Sequence, residues 1–246
     1  MKKVLITGAL GQDGIILSHL YLKKKFKVFG FIKKNKKFRI KKVTYKINNL
    51  TSKVKIKKHL KYIKPDIIIH LASSNNSFLK RNNHENYKIN YLQNLKCTKN
   101  LFYSIIDSKI KPNFIFAGSF LMFEKFKKKA ISEKETFNAS GYYGKYKIDS
   151  HKFILKLKKK HNINAATVIL FNHDSKFRNK KFLIPRLIQA FKSKNKEFIE
   201  NIYKLNISGD FSHAKDVCKG IYKLSLSEKI NIDKIILSSG KRTYIN

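Results

Sequence analysis

The stretch Val4-Leu5-Ile6-Thr7-Gly8-Ala9-Leu10-Gly11-Gln12-Asp13-Gly14 constrains this chain more than any other part of it. An apolar run ends in three glycines spaced Gly-x-x-Gly-x-x-Gly. Ile16, Leu17 and Leu20 then repeat at helical spacing, and Lys23, Lys24 and Lys25 follow on the wet side. A buried strand that turns tightly into a helix aims backbone N–H groups and the positive end of the helix at one spot, which suits a pyrophosphate. Glycine serves there where the turn needs an unusual φ, where backbone must touch phosphate, and where helix and strand pack closely. Gly8, Gly11, Gln12, Asp13 and Gly14 are therefore the expected cofactor-binding turn.

The rest of the chain continues the alternation. Apolar runs predict strands over 4–7, 28–32, 43–46, 66–71, 114–117, 166–171 and 234–237, and helical spacing predicts helices over 13–24, 53–63, 87–107, 143–160, 183–193 and 213–226. Pro65 and Pro112 each stand just ahead of a strand, where they stop the preceding helix. The expected fold is α/β, a Rossmann-type doubly wound parallel sheet that binds its ligand at the carboxyl ends of the strands. Gly8 to Gly14, Leu71 to Asn75 and Ala117 to Ser119 all follow such strand ends.

At 246 residues the chain is long enough for one large domain, or one with a small appendage. Two cysteines, Cys97 and Cys218, are too few for a disulfide framework and point to a reducing compartment. The basic start stops being apolar at Gly8, too soon for a signal sequence, and nothing approaches the ~18 apolar residues of a membrane span. A cytoplasmic location is expected. The formal charge is +40, but the lysines are spread through helices, loops and strand flanks instead of forming one patch. Asn, Ile and Phe are abundant and Trp is absent, so the charge reads as composition. No nucleic acid or membrane partner is expected, and no metal, while attraction to anionic substrates remains. Where an acid would meet the adenosine ribose, roughly 20 residues past the glycines, the chain carries Lys33 and Lys34. Cations suit a 2′-phosphate, so NADP is favoured over NAD.

Two further features carry chemistry. Ser119 stands at the end of the strand over 114–117, and Tyr143 and Lys147 lie four apart on one helix face. An ammonium beside a phenol favours the phenolate, which would make Tyr143 an acid/base for alcohol–ketone interconversion, with Ser119 holding the same oxygen.

On these residues the chain resembles the extended short-chain dehydrogenase/reductases, most closely the GDP-mannose 4,6-dehydratases. Thr7-Gly8-x-x-Gly11-Gln12-Asp13-Gly14, Leu170-Phe171-Asn172-His173-Asp174-Ser175 and Asp210-Phe211-Ser212-His213-Ala214-Lys215-Asp216 are similar to that family's motifs. The resemblance implies Ser119, Tyr143 and Lys147 as catalytic residues, with Lys147 also on the cofactor ribose. It implies cofactor contacts at Lys33, Asn49, Leu50, Leu71, Ser73, Asn75, His173 and Arg178, and a substrate contact at Asn172. It also implies an NADP-binding unit over 1–171 completed by 213–240, and a reduced C-terminal substrate-binding region over 172–212 and 241–246. The implied substrate is a nucleotide sugar, GDP-mannose or a relative, oxidised at C4. The implied assembly is a homo-oligomer packed through the helices over 87–107 and 143–160. Leu121 stands where the family's eliminating glutamate is expected, Gly209 replaces an arginine, and the family continues past the segment resembling Ser238-Ser239-Gly240. A leucine moves no proton, so the dehydration half is in doubt. A 4-keto reductase or epimerase is the alternative, and an inactive NADP-binding partner of a longer homologue is another.

Overall fold

The computed structural model describes residues 1–35, 37–74, 84–123 and 130–245. In chain order the elements are β1 (Lys3–Thr7), α1 (Gln12–Lys23), β2 (Lys27–Ile32), β3 (Val43–Ile47), α2 (Lys53–Ile63), β4 (Ile67–His70), α3 (His84–Asp107), β5 (Asn113–Ala117), α4 (Tyr142–His161), β6 (Ala165–Leu170), β7 (Asn172–Asp174), α5 (Leu183–Lys192), α6 (Lys196–Lys204), β8 (Ile207–His213), α7 (Ala214–Ser225), β9 (Lys234–Leu237) and β10 (Arg242–Ile245). A short 3-10 turn, Phe120–Phe123, follows β5.

Seven strands form one sheet in the order β3-β2-β1-β4-β5-β6-β9, every pair parallel. The order reverses between β1 and β4, which opens a crevice at their carboxyl ends. The expected Rossmann-type sheet is thus observed. Period-2 alternation decides which side chains face which layer. Val4 and Ile6 join α1 and α7 on one face, with Leu17, Tyr21, Val217 and Ile221. Leu5 points the other way, to α2, α3 and α4 through Ile56, Leu60, Phe102 and Ile154. Tyr21 Oη and Ser225 Oγ, 2.6 Å apart, tie α1 to α7 beneath the first layer.

A second sheet of three short strands, β10-β8-β7, was not anticipated, nor was α6. β7 pairs parallel with β8, and β10 antiparallel with it. None of these strands carries an apolar run, because none is buried on both faces. Asp210 supplies the local adhesive. Its carboxylate accepts the backbone N–H groups of Ser239 (2.8 Å) and Gly240 (2.7 Å), where Gly240 takes φ +73° to turn the chain into β10. Among the described residues no helix is long and apolar enough to cross a membrane.

Candidate active site

A cleft of about 870 Å³ lies along the carboxyl ends of β1, β2, β4, β5 and β6, within the ordinary range for ligand pockets. At its floor β1 turns into α1. Gly8 holds φ +70° and lies so close to β4's continuation that a Cβ there would stand 3.1 Å from Ala72 N and Cα. Gly11 is the N-cap of α1 and no side chain caps the helix, so the first-turn N–H groups remain open to a ligand anion. Gly14 does not line the cleft. A Cβ on it would stand 2.5 Å from Gly8 O, so its role is to let the helix sit on the turn. The floor thus fits the diphosphate of a dinucleotide through backbone alone.

Behind the floor runs a buried network. Thr7 Oγ1 is 2.8 Å from His70 Nδ1 and accepts Ala72 N–H at 3.1 Å, and His70 Nε2 is 3.0 Å from Thr98 Oγ1 on α3. Burial, reinforced by the Lys147 charge, pushes the His70 pKa down to about 3, so this ring is a neutral spacer. It fixes the spacing of β1, β4 and α3 under the Leu71–Ser73 segment. Sequence reasoning missed it, because a lone histidine in an apolar strand carries no signal of its partners.

One wall of the cleft is the start of α4. Lys147 is 2% exposed and donates to Ala117 O at 2.7 Å. Its ammonium lies 5.2 Å from the Tyr143 ring centroid and 4.9 Å from those of Phe116 and Tyr146. Burial works against that charge, but the phenols of Tyr143 and Tyr146 outweigh it, and the Lys147 pKa is held above its ordinary value. The ammonium is therefore a fixed charge against the base of Tyr143. Tyr143 Oη reaches Ser73 Oγ at 3.4 Å, and both line the cleft with Ser119. The Ser119 hydroxyl accepts Leu121 N–H at 3.3 Å, which holds the head of the 3-10 turn. Gly144 packs against Leu121 O so closely that a Cβ there would collide with it. The segment bearing Ser119 and Leu121 is thereby locked to the helix bearing Tyr143 and Lys147.

The opposite wall is built by β7 and the loop after it. His173 Nε2 lies 3.0 and 3.1 Å from the two carboxylate oxygens of Asp13, and Nδ1 lies 2.6 Å from Phe171 O. Both ring nitrogens face acceptors, so only the imidazolium satisfies both. Burial opposes its charge, but Asp13 outweighs burial and raises the His173 pKa. Burial likewise opposes the Asp13 carboxylate, and His173 holds its pKa below the usual range. Gln12 joins the same walls, donating to His173 O (3.2 Å) and accepting from Ser175 Oγ (3.0 Å). Arg178 stacks its guanidinium 3.5 Å from the Phe182 ring centroid, with Nε 3.3 Å from Asp174 Oδ1.

Of the residues expected from sequence, Gly8, Gly11, Gln12, Asp13, Lys33, Leu71, Ser73, Ser119, Tyr143, Lys147, Asn172, His173 and Arg178 line this one cleft. Asn49 and Leu50 do not. Asn49 is exposed and accepts from Thr51, while Leu50 is 2% exposed in the core between α2 and α3. Asn75 lies outside the described residues. Among the described lining residues Asp13 is the one carboxylate.

The GDP-mannose 4,6 dehydratase family model matches residues 5–246. GDP-6-deoxy-D-talose 4-dehydrogenase of Aggregatibacter actinomycetemcomitans is 29% identical over 97% of this chain and 74% of its own length. GDP-mannose 4,6 dehydratase 2 of Caenorhabditis elegans is 23% identical over 98% and 67%. Among solved structures, UDP-glucose 4-epimerase from Brucella ovis in complex with NAD superposes with TM-score 0.82 at 15% identity, covering all of this chain and 80% of that one. dTDP-glucose 4,6-dehydratase from Bacillus anthracis in complex with NAD gives 0.79 at 13%, covering 99% and 77%.

The expectation of NADP is corrected by these likenesses, because four of the similar solved structures are complexes with NAD. The physical reason is that Lys33 and Lys34 are exposed at the cleft edge of a chain holding 55 lysines and arginines. Cations fall at that strand end by composition alone and do not single out a 2′-phosphate. With the sheet, the glycine turn and the matched span together, the chain belongs to the GDP-mannose 4,6 dehydratase family, within the extended short-chain dehydrogenase/reductase superfamily.

Proposed function

We propose that this protein is an NAD-dependent enzyme that interconverts a hydroxyl and a ketone at C4 of a nucleotide-activated sugar without eliminating water. One observation carries the reading. Tyr143, Lys147 and Ser119 line a cleft whose one carboxylate among the described residues, Asp13, is already committed to His173. A nicotinamide held in the cleft would supply the hydride acceptor or donor. Tyr143 moves the proton on the C4 oxygen, and the Ser119 hydroxyl holds that oxygen in line. Lys147, anchored by Ala117 O, keeps a positive charge beside the phenol and leaves N–H donors for a ribose. Dehydration would further need a positioned base at C5, and Leu121 offers only hydrocarbon on that wall. Losing such a base typically costs a factor of roughly 10² to 10⁴. The likeness to a GDP-6-deoxy-D-talose 4-dehydrogenase supports the same division, since its name describes redox at C4. The proposed substrate is therefore a GDP-linked 6-deoxysugar or its 4-keto form.

The test is turnover of NADH with a GDP-4-keto-6-deoxyhexose, beside incubation with GDP-mannose and NAD. Reduction of the ketone is expected, with no 4-keto-6-deoxy product from GDP-mannose. Tyr143→Phe should slow reduction by roughly 10² to 10⁴. Robust dehydration of GDP-mannose, or turnover indifferent to Tyr143→Phe, overturns the reading.

A further inference from the structure

The Asp13–His173 pair is not part of the proton chemistry above. Asp13 occupies the first turn of α1 and lines the cleft, at the end of the helix that would receive a diphosphate. A bare carboxylate there repels the anion that the helix end attracts. We propose that Asp13 and His173 act together as a positioning pair for the bound dinucleotide. The imidazolium cancels the carboxylate's charge, and the double contact fastens the glycine turn to β7. This inference rests on the dinucleotide reading of the cleft.

Three observations support it. The contact is two-pronged, 3.0 and 3.1 Å to the two oxygens, and the far ring nitrogen is fixed 2.6 Å from Phe171 O, so the ring cannot swing away without losing both. Gln12, the neighbour of Asp13, makes a parallel link by donating to His173 O. Two successive residues of the turn thus grip one residue of β7. Finally, β7 is a three-residue strand paired only with β8 among the described strands, so its position depends on such links.

The groups facing the pair come from every packed element. α1 gives Gln12, and α7 gives Cys218, whose Sγ is 3.8 Å from Asp13 O and whose thiol burial keeps protonated. β7 gives Asp174, whose pKa burial raises against the pull of Arg178 and His173. The following loop gives Ser175 and Arg178, and β8 places Ser212 and His213 opposite His173 and Asp174. Because the folded His173 pKa is raised, the imidazolium is present below its ordinary value and is lost as pH rises through the raised one. Above that point Asp13 stands uncompensated beside the diphosphate.

Calorimetric titration of the full chain with NADH, from about pH 6 to about pH 9, tests the pair. Wild-type affinity should fall as pH rises through the raised His173 pKa, by roughly tenfold, the order expected of one uncompensated charge near a diphosphate in a partly wet cleft. Asp13→Asn should flatten that step, since no charge then needs cancelling, and any titration by neighbouring groups persists as its background. His173→Gln, with Asp13 intact, should bind weakly at every pH. The double variant Asp13→Asn, His173→Gln should regain most of the affinity lost by His173→Gln alone, which a merely structural contact would not do. A step that survives Asp13→Asn, or a double variant that binds no more tightly than His173→Gln alone, overturns the pair's role. Absence of NADH binding by the wild type at any pH instead overturns the dinucleotide reading itself.

Discussion

Gly14→Ala is expected to destabilise the protein although alanine is the better helix former. In the first turn of α1 the exchange gains at most about 1 kcal/mol of helix propensity. Against it, the new Cβ would stand 2.5 Å from Gly8 O, 2.7 Å from Ala9 Cα and 2.8 Å from Ala9 C. All three are backbone atoms of the tight turn, so no side chain can rotate aside. Overpacking against backbone that cannot move aside costs toward the upper end of the usual range, about 2–3 kcal/mol, and the net loss should be about 1–2 kcal/mol, or a Tm lowered by roughly 2–8 °C for a chain of this size. Gly220→Ala in α7 is the matched control. Its Cβ would approach only Leu237 side-chain atoms, at 3.0 and 3.2 Å, which can yield, so helix propensity should balance the crowding and leave stability near wild type. Urea denaturation of the two variants reads the difference, and NADH titration should show affinity lost in Gly14→Ala and kept in Gly220→Ala. A Gly14→Ala protein as stable as wild type, with unaltered NADH binding, would show that the helix does not rest on the turn as described.

Acid should act through His70. Its folded pKa of about 3 lies below the unfolded value near 6.5, so the unfolded state binds the proton first and stability falls as pH drops through that window. Each pH unit below about 6.5 should cost about 1.4 kcal/mol from this residue. His173, with its raised pKa, contributes in the opposite sense. Urea midpoints at successive pH values should therefore fall less steeply for His70→Gln than for wild type, and parallel curves would refute the buried neutral ring. For assembly, the expected homo-oligomer places α3 and α4 at the contact. Leu101, Phe102 and Ile154 are fully buried within the subunit, which leaves Ile89 (53% exposed), Leu92 (54%) and Tyr103 (40%) on α3 to carry that surface. Light scattering at moderate salt should give a dimer or larger, reduced in mass by Ile89→Glu with Leu92→Glu, and a monomeric wild type at micromolar concentration contradicts it.

The parallel sheet was legible because its signals are local. A strand buried on both faces must be a continuous apolar run, as in Ile67–His70, and a crossover helix must repeat its apolar residues at 3.6 spacing. Gly8, Gly11 and Gly14 announced the turn, since backbone that must approach backbone tolerates little else. Tyr143 and Lys147 could be paired in advance because a helix fixes residues four apart on one face. The small sheet of β7, β8 and β10 escaped because its strands are half-buried and held by Asp210 and Gln12, whose partners lie far away in the chain. Phe198, Ile199 and Ile202 do have helical spacing, and could have revealed α6. Leu50 shows the opposite case. A motif position placed it beside a ligand, while the packing of α2 and α3 drew its side chain into the core. Lys33 and Lys34 show another, since exposed charge is set by composition as readily as by a ligand.

By itself, then, the order of apolar and polar residues determined the strands and crossover helices of the seven-stranded parallel sheet and the helix face carrying Tyr143 and Lys147. Only the tertiary structure decided what each polar group inside that frame does. It set His70 between Thr7 and Thr98, charged His173 against Asp13, and committed the one described carboxylate of the cleft to that pair. Hydrophobic burial depends on periodicity and can be read along the chain, whereas a hydrogen bond or ion pair depends on atoms some 160 residues apart meeting within about 3 Å. No local pattern encodes that meeting.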